Sequence, residues 1–256
     1  MIAVSDETAA PPTKPIAVIF LHPDCNMTCT FCITDDRMDT MTFAQAQRLL
    51  GTLRERAIDN IVLGGGEPFA WPHDTLRLAA WARSQGFFVQ AGTNGIAMPE
   101  TRGQIDHIDR YVLPLDAADP TIHNQSRRYG PGHHELVLTR LAALRAIGKS
   151  VTISTVVTGR NVAQLPALGA LLSQYAQDGG QLHAWHLYKF LPEGRGGRTH
   201  AQELQIDDPA YDAACTQAKQ HCTTFQVFKR RDMRHSKSVD FYWHHRGRMR
   251  AGSELW

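Results

Sequence analysis

No run of residues in this 256-residue sequence is long and apolar enough to span a membrane, so we expect no membrane partner. The sequence also has little excess charge, because 27 basic residues stand against 25 acidic ones. A net charge of +2 does not by itself indicate binding to a nucleic acid polymer. Residues 1–15 lack the basic segment and following apolar segment that mark a secretory signal. We therefore expect a cytoplasmic protein that begins with a flexible leader.

Cysteine is scarce, with five residues in the chain, and three of them lie within one short stretch. This distribution does not form a disulfide framework, which suits a reducing compartment. Cys215 and Cys222 lie far downstream in a segment with helical spacing, and two thiols are too few for a second iron-sulfur cluster. We expect both to be partly buried structural thiols.

The three clustered thiols are Cys25, Cys29 and Cys32, on a loop that follows the apolar run Ile16 to Leu21. Thiolates held this close together suit an iron-sulfur cluster or a zinc ion. Structural sites of either kind normally use four protein ligands. Three ligands leave one metal position open to a small molecule, which favours a reactive site. A zinc site completed by His22 or Asp24 is the alternative.

The spacing Cys-x3-Cys-x2-Cys, with the aromatic Phe31 directly before the last cysteine, resembles the signature of the radical S-adenosylmethionine (SAM) superfamily. By this resemblance Cys25, Cys29 and Cys32 bind a [4Fe-4S] cluster, and Phe31 packs on the adenine of SAM. The resemblance also implies reductive cleavage of SAM to a 5'-deoxyadenosyl radical, with an electron from a donor such as flavodoxin or ferredoxin. In outline the chain resembles the viperin-like and molybdenum-cofactor-enzyme-like branches of this superfamily.

Apolar and β-branched runs alternate along the chain with segments of helical periodicity. The predicted strands are Ile16 to Leu21, Ile61 to Leu63, Phe87 to Ala91, Tyr111 to Leu115, Val151 to Val157 and Leu182 to Phe190. This alternation predicts an α/β protein, a (βα)6 partial TIM barrel over residues 16–192, which is also the fold that the resemblance implies. Residues 193–256 are predicted to form a C-terminal β-hairpin and basic extension that closes the barrel.

Distinctive residues directly follow the predicted strands, where βα folds collect their functional groups. Gly64 to Pro68 follows the second strand and by itself is typical of a tight turn. One βα unit after the cysteines, it resembles the superfamily motif that contacts the SAM ammonium. Arg128 is the first choice for a contact to the SAM carboxylate, and Arg127 is the alternative. By resemblance or position, the predicted SAM-binding residues are Phe31, Gly65, Gly66, Glu67, Pro68, Thr93, Asn94, Asp116, Arg128 and Ser154.

Candidate substrate-binding residues lie in the sixth strand and beyond it. Alternation places His186 and Tyr188 on one face of that strand and Lys189 on the other, and leaves open which face is inside. The segment 193–198 is glycine-rich and basic, so it is either a lid or anion-binding loop or a solvated connector. Basic residues of the tail favour an anionic substrate. The predicted substrate residues are His186, Tyr188, Lys189, Arg195, Lys229, Arg231 and Lys237.

The predicted function is that of a radical SAM enzyme of oxidoreductase or lyase type, acting on a small anionic substrate that is nucleotide-like or phosphorylated. Asp35 and Asp36 count against a phosphate close to the cysteine motif. The alternatives are an uncharged metabolite, a peptide or protein substrate, and activation of a glycyl-radical enzyme. A non-catalytic module that binds zinc or a cluster is the alternative of a different class.

Overall fold

The computed structural model describes residues 16–130 and 132–252, apart from the side chain of His235, so the predicted leader at residues 1–15 lies outside the described residues. The strands are β1 (Ile16–Phe20), β2 (Asn60–Gly64), β3 (Phe88–Gly92), β4 (Arg110–Pro114), β5 (Ser150–Val157), β6 (Leu182–Lys189), β7 (Gln226–Arg230), β8 (Val239–His245) and β9 (Arg248–Ala251). The helices are α1 (Phe43–Glu55), α2 (Thr75–Ser84), α3 (Arg102–Ile105), α4 (Pro120–Ser126), α5 (His133–Ala146), α6 (Leu165–Gln177), α7 (Gly194–Thr199), α8 (Ala201–Leu204) and α9 (Asp208–His221).

These strands form one nine-stranded sheet in the order β7-β6-β5-β4-β3-β2-β1-β8-β9. Every neighbouring pair is parallel except β8 and β9, which are antiparallel. A helix follows each of β1 to β6 before the next strand begins, as expected for parallel βα connections. The predicted α/β partial barrel is therefore confirmed. Among the described residues, no helix has the length and apolar character needed to cross a bilayer.

The C-terminal strands lie at opposite edges of the sheet. β7 pairs with β6, whereas β8 pairs with β1 and then turns back as the β8–β9 hairpin. In a flat sheet β7 and β8 would lie seven strand spacings apart, roughly 34 Å. The nine residue steps from Arg230 to Val239 reach only roughly 30 Å when fully extended, and they include a 3₁₀ turn at Met233–His235. The sheet must therefore curve, and this segment crosses the open side of the barrel.

Alternate residues of the strands face two different environments. Outward-facing side chains such as Ile19 and Ile153 pack with helix residues such as Leu50 in the main core. Burial of each such side chain contributes about 1.5–3 kcal/mol. Inward-facing Phe20 packs on Phe241 in a smaller cluster inside the barrel. The outer layer therefore holds the barrel together, and the inner face is left to line the lumen.

Candidate active site

The cysteine loop follows β1 at the carboxyl edge of the sheet. Cys25, Cys29 and Cys32 are free and half-buried, and Phe31 on the same loop is buried. Burial raises the pKa of the Cys29 thiol to about 11, and it also raises the pKa of Cys25. Both thiols therefore favour the protonated form unless a bound metal supplies positive charge to stabilise the thiolates. Three such thiols on one loop are a suitable ligand set for an iron-sulfur cluster.

The two side chains considered as a fourth zinc ligand point elsewhere. The His22 ring is fully buried, and its Nε2 lies 2.7 Å from the carbonyl oxygen of Glu67. The Asp24 side chain is 78% exposed. Within the described parts of the chain, no three His, Cys, Asp or Glu side chains converge as ligands of a single metal ion. His22 is therefore committed to the turn after β2.

The glycine turn after β2 packs directly against the beginning of the cysteine loop. The backbone N–H of Gly66 donates to the His22 carbonyl at 2.7 Å, and the N–H of Glu67 donates to the Asp24 carbonyl at 2.9 Å. A Cβ atom on Gly66 would lie 1.7 Å from the Asp24 oxygen, so a side chain cannot fit there. Gly65 adopts a φ of +124°, which favours glycine. These contacts fix the position of the loop that carries Cys25.

The Glu67 carboxylate is fully buried and bonded within the protein. One carboxylate oxygen accepts from the Thr93 hydroxyl at 2.7 Å and from the Phe69 N–H at 3.2 Å. The other oxygen accepts from the Asn94 N–H at 2.8 Å. Glu67 thus joins the turn after β2 to the turn after β3. This geometry gives Glu67 a positioning role, whereas the resemblance of the turn to the superfamily motif predicts that Glu67 binds SAM.

Replacing Glu67 by Gln tests this positioning role. We expect the variant to keep its cluster and to lose at least about tenfold in SAM affinity. The amide nitrogen that replaces one carboxylate oxygen cannot accept an N–H, and leaving that buried donor unpaired destabilises the native arrangement of the two turns by about 1–3 kcal/mol. Calorimetric titration of the reconstituted protein with SAM measures the change. Glu100→Gln is the matched control, since the Glu100 side chain is 75% exposed. An affinity equal to that of the native chain would remove Glu67 from the site.

The turn after β3 touches the cysteine loop through Asn94. Its side-chain Nδ2 donates to Asn26 Oδ1 at 2.6 Å and lies 3.6 Å from the sulfur of Cys25. The Asn94 oxygen in turn accepts from the Ile96 N–H at 2.9 Å, which fixes the orientation of the amide. The predicted SAM-binding residues Thr93 and Asn94 are therefore brought together with Cys25.

An ion pair between buried Asp116 and half-buried Arg127 lies on the other side of the cysteine loop. Asp116 Oδ2 accepts from Arg127 Nε at 2.6 Å, and Asp116 Oδ1 accepts from the Val156 N–H at 2.8 Å. The Arg127 guanidinium lies 4.0 Å from the sulfur of Cys29 and 4.7 Å from the centre of the Phe31 ring. Arg128, the first choice from sequence, is exposed. The structure thus places the alternative, Arg127, beside the cysteines.

Two buried histidines connect this ion pair to the turn after β3. The Asp116 N–H donates to His123 Nδ1 at 3.1 Å, so His123 carries its proton on Nε2. His123 Nε2 then donates to His133 Nδ1 at 2.8 Å, and His133 Nε2 donates to the Asn94 carbonyl at 2.9 Å. Burial, helped by Arg127, lowers the pKa of His123 to about 2 and that of His133 to about 4. Sequence reasoning missed this neutral pair, because the spacing of the two histidines matches no motif.

The glycine-rich segment after β6 forms α7 and packs against the cysteine loop. The Gly196 N–H donates to the Cys32 carbonyl at 3.0 Å, and the Arg195 N–H donates to the Thr34 carbonyl at 3.1 Å. A Cβ atom on Gly196 would lie 2.4 Å from the Cys29 carbonyl oxygen. This contact needs a glycine, and no pattern in the sequence signals it. The segment expected to be a lid or a connector therefore supports the cysteine loop.

Arginines neutralise the two acidic residues after the cysteine motif. Arg195 pairs with Asp36 at 3.1 Å, and Arg198 pairs with Asp35 at 3.2 Å. A hydrogen bond from Arg37 holds the pKa of the Asp35 carboxyl well below its usual range. Arg195, one of the predicted substrate residues, thus has its charge balanced by an acidic residue of the cysteine loop.

The remaining predicted residues separate by face. His186 and Tyr188 face inward, because Trp185 and Leu187 between and beside them belong to the main core. Ser154 also faces inward, opposite His186 in the register of β5 and β6. Three predicted substrate residues instead point outward, where they pair with acidic residues of α9: Lys189 with Asp208, Lys229 with Asp212, and Arg231 with both. Lys237 is exposed on the segment that crosses the open side.

Comparison with known proteins supplies the family. The sequence matches the Radical SAM superfamily over residues 19–172. It is 30% identical over 180 residues to mycofactocin maturase MftC of Mycobacterium tuberculosis, and the aligned region covers 67% of this chain and 44% of that relative. It is 35% identical over 88 residues to 7-carboxy-7-deazaguanine synthase of Neisseria meningitidis, and this aligned region covers 33% of this chain and 37% of that protein. The chain therefore spans less than half the length of these curated relatives.

The fold is also similar to that of a solved radical SAM structure. SuiB of Streptococcus suis bound to SAM has a TM-score of 0.66 at 15% sequence identity, with 86% of this chain and 51% of that one covered. At this level of identity the similarity shows the fold alone. The superfamily match covers the cysteine loop, the turns after β2 and β3, and Asp116 with Arg127. The chain belongs to the radical SAM superfamily, whose members use a [4Fe-4S] cluster and SAM.

Proposed function

We propose that this chain is an enzyme that abstracts a hydrogen atom from a small anionic substrate held in the lumen of its barrel. The observation that carries the proposal is the packing of four elements around the cysteines at one mouth of the barrel: the turns after β2 and β3, the Asp116–Arg127 pair and α7. When bound, the cluster supplies the electron that cleaves SAM to a 5'-deoxyadenosyl radical. The chain itself binds and orients SAM and the substrate and excludes water from them.

The residues around the cysteine loop divide these roles. Cys25, Cys29 and Cys32 would hold the cluster. Arg127 would offer its guanidinium to the SAM carboxylate, because it lies half-buried beside Cys29 and its charge is balanced by Asp116. Asn94 would orient the methionine end of SAM, as its amide already faces Cys25.

The lumen beside the cysteine loop is the proposed substrate site. Inward-facing Val156 packs on the small apolar cluster of Phe31, Phe190 and Leu204, which also contacts Cys29. In sheet register Val156 is level with Tyr188 of β6, which is level with Arg230 of β7. A substrate bound against β6 and β7 would therefore lie close to the place where the radical forms.

Support for a nucleotide or other polyphosphate is weak. That candidate depends on the basic tail, and Lys229 and Arg231 from the tail pair with Asp212 on the outer face. A triphosphate needs several cations on one surface. The supported form of the proposal is thus a small substrate with limited negative charge.

Modification of a peptide is the second candidate function. It is suggested by the similar fold of SuiB of Streptococcus suis, which has been solved bound to the precursor peptide SuiA, with a TM-score of 0.66 at 14% sequence identity. This candidate differs from the first in its substrate and leaves the SAM chemistry unchanged. The similarity to mycofactocin maturase covers 44% of that relative. Precursor peptides and small acids can be compared in the same assay.

The test is anaerobic reconstitution with iron and sulfide, followed by reduction and addition of SAM. We expect SAM to perturb the electron paramagnetic resonance signal of the reduced cluster, and 5'-deoxyadenosine to appear. A chemical reductant comes first, and flavodoxin or ferredoxin then tests the physiological electron donor. Binding of one zinc ion with no response to SAM would refute the proposal and favour a non-catalytic metal-binding module.

A further inference from the structure

The inner face of β6 and β7 carries a compact polar and aromatic cluster, which we call the β6–β7 cluster. It consists of His186, Tyr188, Phe228 and Arg230, with His186 opposite Phe228 and Tyr188 opposite Arg230 in the register. His186 Nδ1 lies 3.1 Å from the Tyr188 hydroxyl, and its ring meets the Phe228 ring edge-on at 5.1 Å. The Arg230 guanidinium lies 5.0 Å above the Phe228 ring. None of these four side chains is among those proposed above to hold the iron-sulfur cluster or SAM.

Arg230 has no carboxylate partner among the described residues, unlike six other arginines that pair with acidic residues. Its Nε is buried without a hydrogen-bond partner within that part of the chain. An unsatisfied buried donor of this kind is unfavourable. The paired arginines are Arg37 and Arg198 with Asp35, Arg127 with Asp116, Arg160 with Glu203, Arg195 with Asp36, and Arg234 with Asp232. A ligand anion would complete the site.

The neighbours of Arg230 in the β6–β7 cluster carry no charge near neutral pH. Burial and then Arg230 lower the pKa of His186 to about 3, so its ring is neutral. Burial raises the pKa of Tyr188, so its hydroxyl keeps its proton. The β6–β7 cluster thus offers one positive charge, one hydroxyl and three aromatic rings.

One guanidinium matches a carboxylate better than a phosphate. Its planar N–H groups fit the two oxygens of a carboxylate, and one positive charge balances one negative charge. A phosphate dianion would leave about one negative charge unbalanced inside the barrel, which is costly away from water. The donors and the single positive charge therefore favour a carboxylate over a phosphate.

We propose that the β6–β7 cluster binds the carboxylate of the substrate at Arg230, with a second hydrogen bond from the Tyr188 hydroxyl. His186 then donates from Nδ1 to the Tyr188 oxygen, which leaves the hydroxyl proton free for the carboxylate. The Phe228 ring packs on the apolar part of the substrate. This inference rests on the proposed function, since it names the substrate class of that lumen site.

The position of Arg230 limits the size of the substrate. Arg230 and Val156 are two strands apart at the same level of the sheet, or about 10 Å. Val156 and Cys29 both pack against the small apolar cluster that contains Phe31. When its carboxylate is bound at Arg230, a substrate has the carbon atoms that are a few bonds from that carboxylate near the radical site. This distance fits an organic acid the size of an amino acid or an aromatic acid.

Ligand binding to the reconstituted protein tests this site with defined probes. The probe is 4-fluorobenzoate, followed by fluorine nuclear magnetic resonance, and the neutral comparison is 4-fluorobenzamide. We expect the acid to bind at least tenfold more tightly than the amide. Arg230→Gln should weaken binding of the acid at least tenfold. Lys229→Gln is the matched control, with less than a twofold change expected, because Lys229 is the adjacent residue but points outward to Asp212.

Three results would overturn the inference: equal binding of the acid and the amide, equal binding to the Arg230→Gln and native chains, or tighter competition by inorganic phosphate than by benzoate. If Arg230→Gln does not fold, Arg230→Lys is used, and we expect binding that is weaker than native but still selective for the acid. This readout needs no SAM cleavage. Absence of 5'-deoxyadenosine would refute the proposed function, whereas SAM cleavage with binding independent of Arg230 would refute this inference alone.

Discussion

Cys29→Ala is expected to abolish the visible absorption of the cluster and all cleavage of SAM. Cys29 is the middle thiol of the three, and the Arg127 guanidinium lies 4.0 Å from its sulfur. Its loss leaves two thiols on a loop that needs three, and alanine offers no ligand atom. The measurements are the absorption spectrum and iron content after anaerobic reconstitution, and the yield of 5'-deoxyadenosine after reduction.

A cysteine outside the loop provides the control for Cys29→Ala. Cys222 is buried in the main core, where its sulfur lies 3.8 Å from the carbonyl oxygen of Gly169. We expect Cys222→Ala to keep the full iron content and SAM cleavage, with a loss in the free energy of unfolding of about 1 kcal/mol. Cleavage of SAM by the Cys29→Ala chain would exclude Cys29 as a ligand.

Gly196→Ala is expected to remove most of the cluster without touching a cysteine. The added Cβ would lie 2.4 Å from the Cys29 carbonyl oxygen and 2.6 Å from the Cys32 nitrogen. Both are backbone atoms of the cysteine loop, so a side-chain rotation cannot relieve the overlap. Either α7 or the loop must move, at a typical cost of about 1–3 kcal/mol for overpacking. Iron and sulfide content per chain measures the loss.

Gly51→Ala is the matched glycine control. Gly51 lies within α1, and nothing lies within 4 Å of the position that a Cβ would take. Alanine there should leave the cluster unchanged and stabilise the helix by about 0.5–1 kcal/mol. Retention of full iron content by the Gly196→Ala chain would show that α7 does not support the cysteine loop.

The order of strands and helices was largely readable from sequence, because alternation of β-branched runs with helical periodicity is a local property. The six predicted strands correspond to β1 to β6, with ends that differ by one residue at most positions. The edges to which β7 and β8 add were not readable. A C-terminal strand can extend either edge, and the choice depends on the length and path of the segment between residues 230 and 239.

Residue roles at the site were only partly readable. The choice between Arg127 and Arg128 depends on the end of α4, where one residue step turns a side chain from the cysteine loop to solvent. Lys189, Lys229 and Arg231 suggested anion binding by their charge alone, yet the acidic residues of α9 pair with them on the outer face. Charge in a sequence does not show which carboxylate is near.

Residues close together along the chain were enough to indicate the family, the order of the βα units and the three thiols. Three features became visible only in the folded chain: Glu67 joins two turns, α7 supports the cysteine loop, and Arg230 faces the lumen without a carboxylate partner among the described residues. Each of these depends on contacts between distant segments. Such contacts are set by sheet register and close packing, which no local pattern encodes.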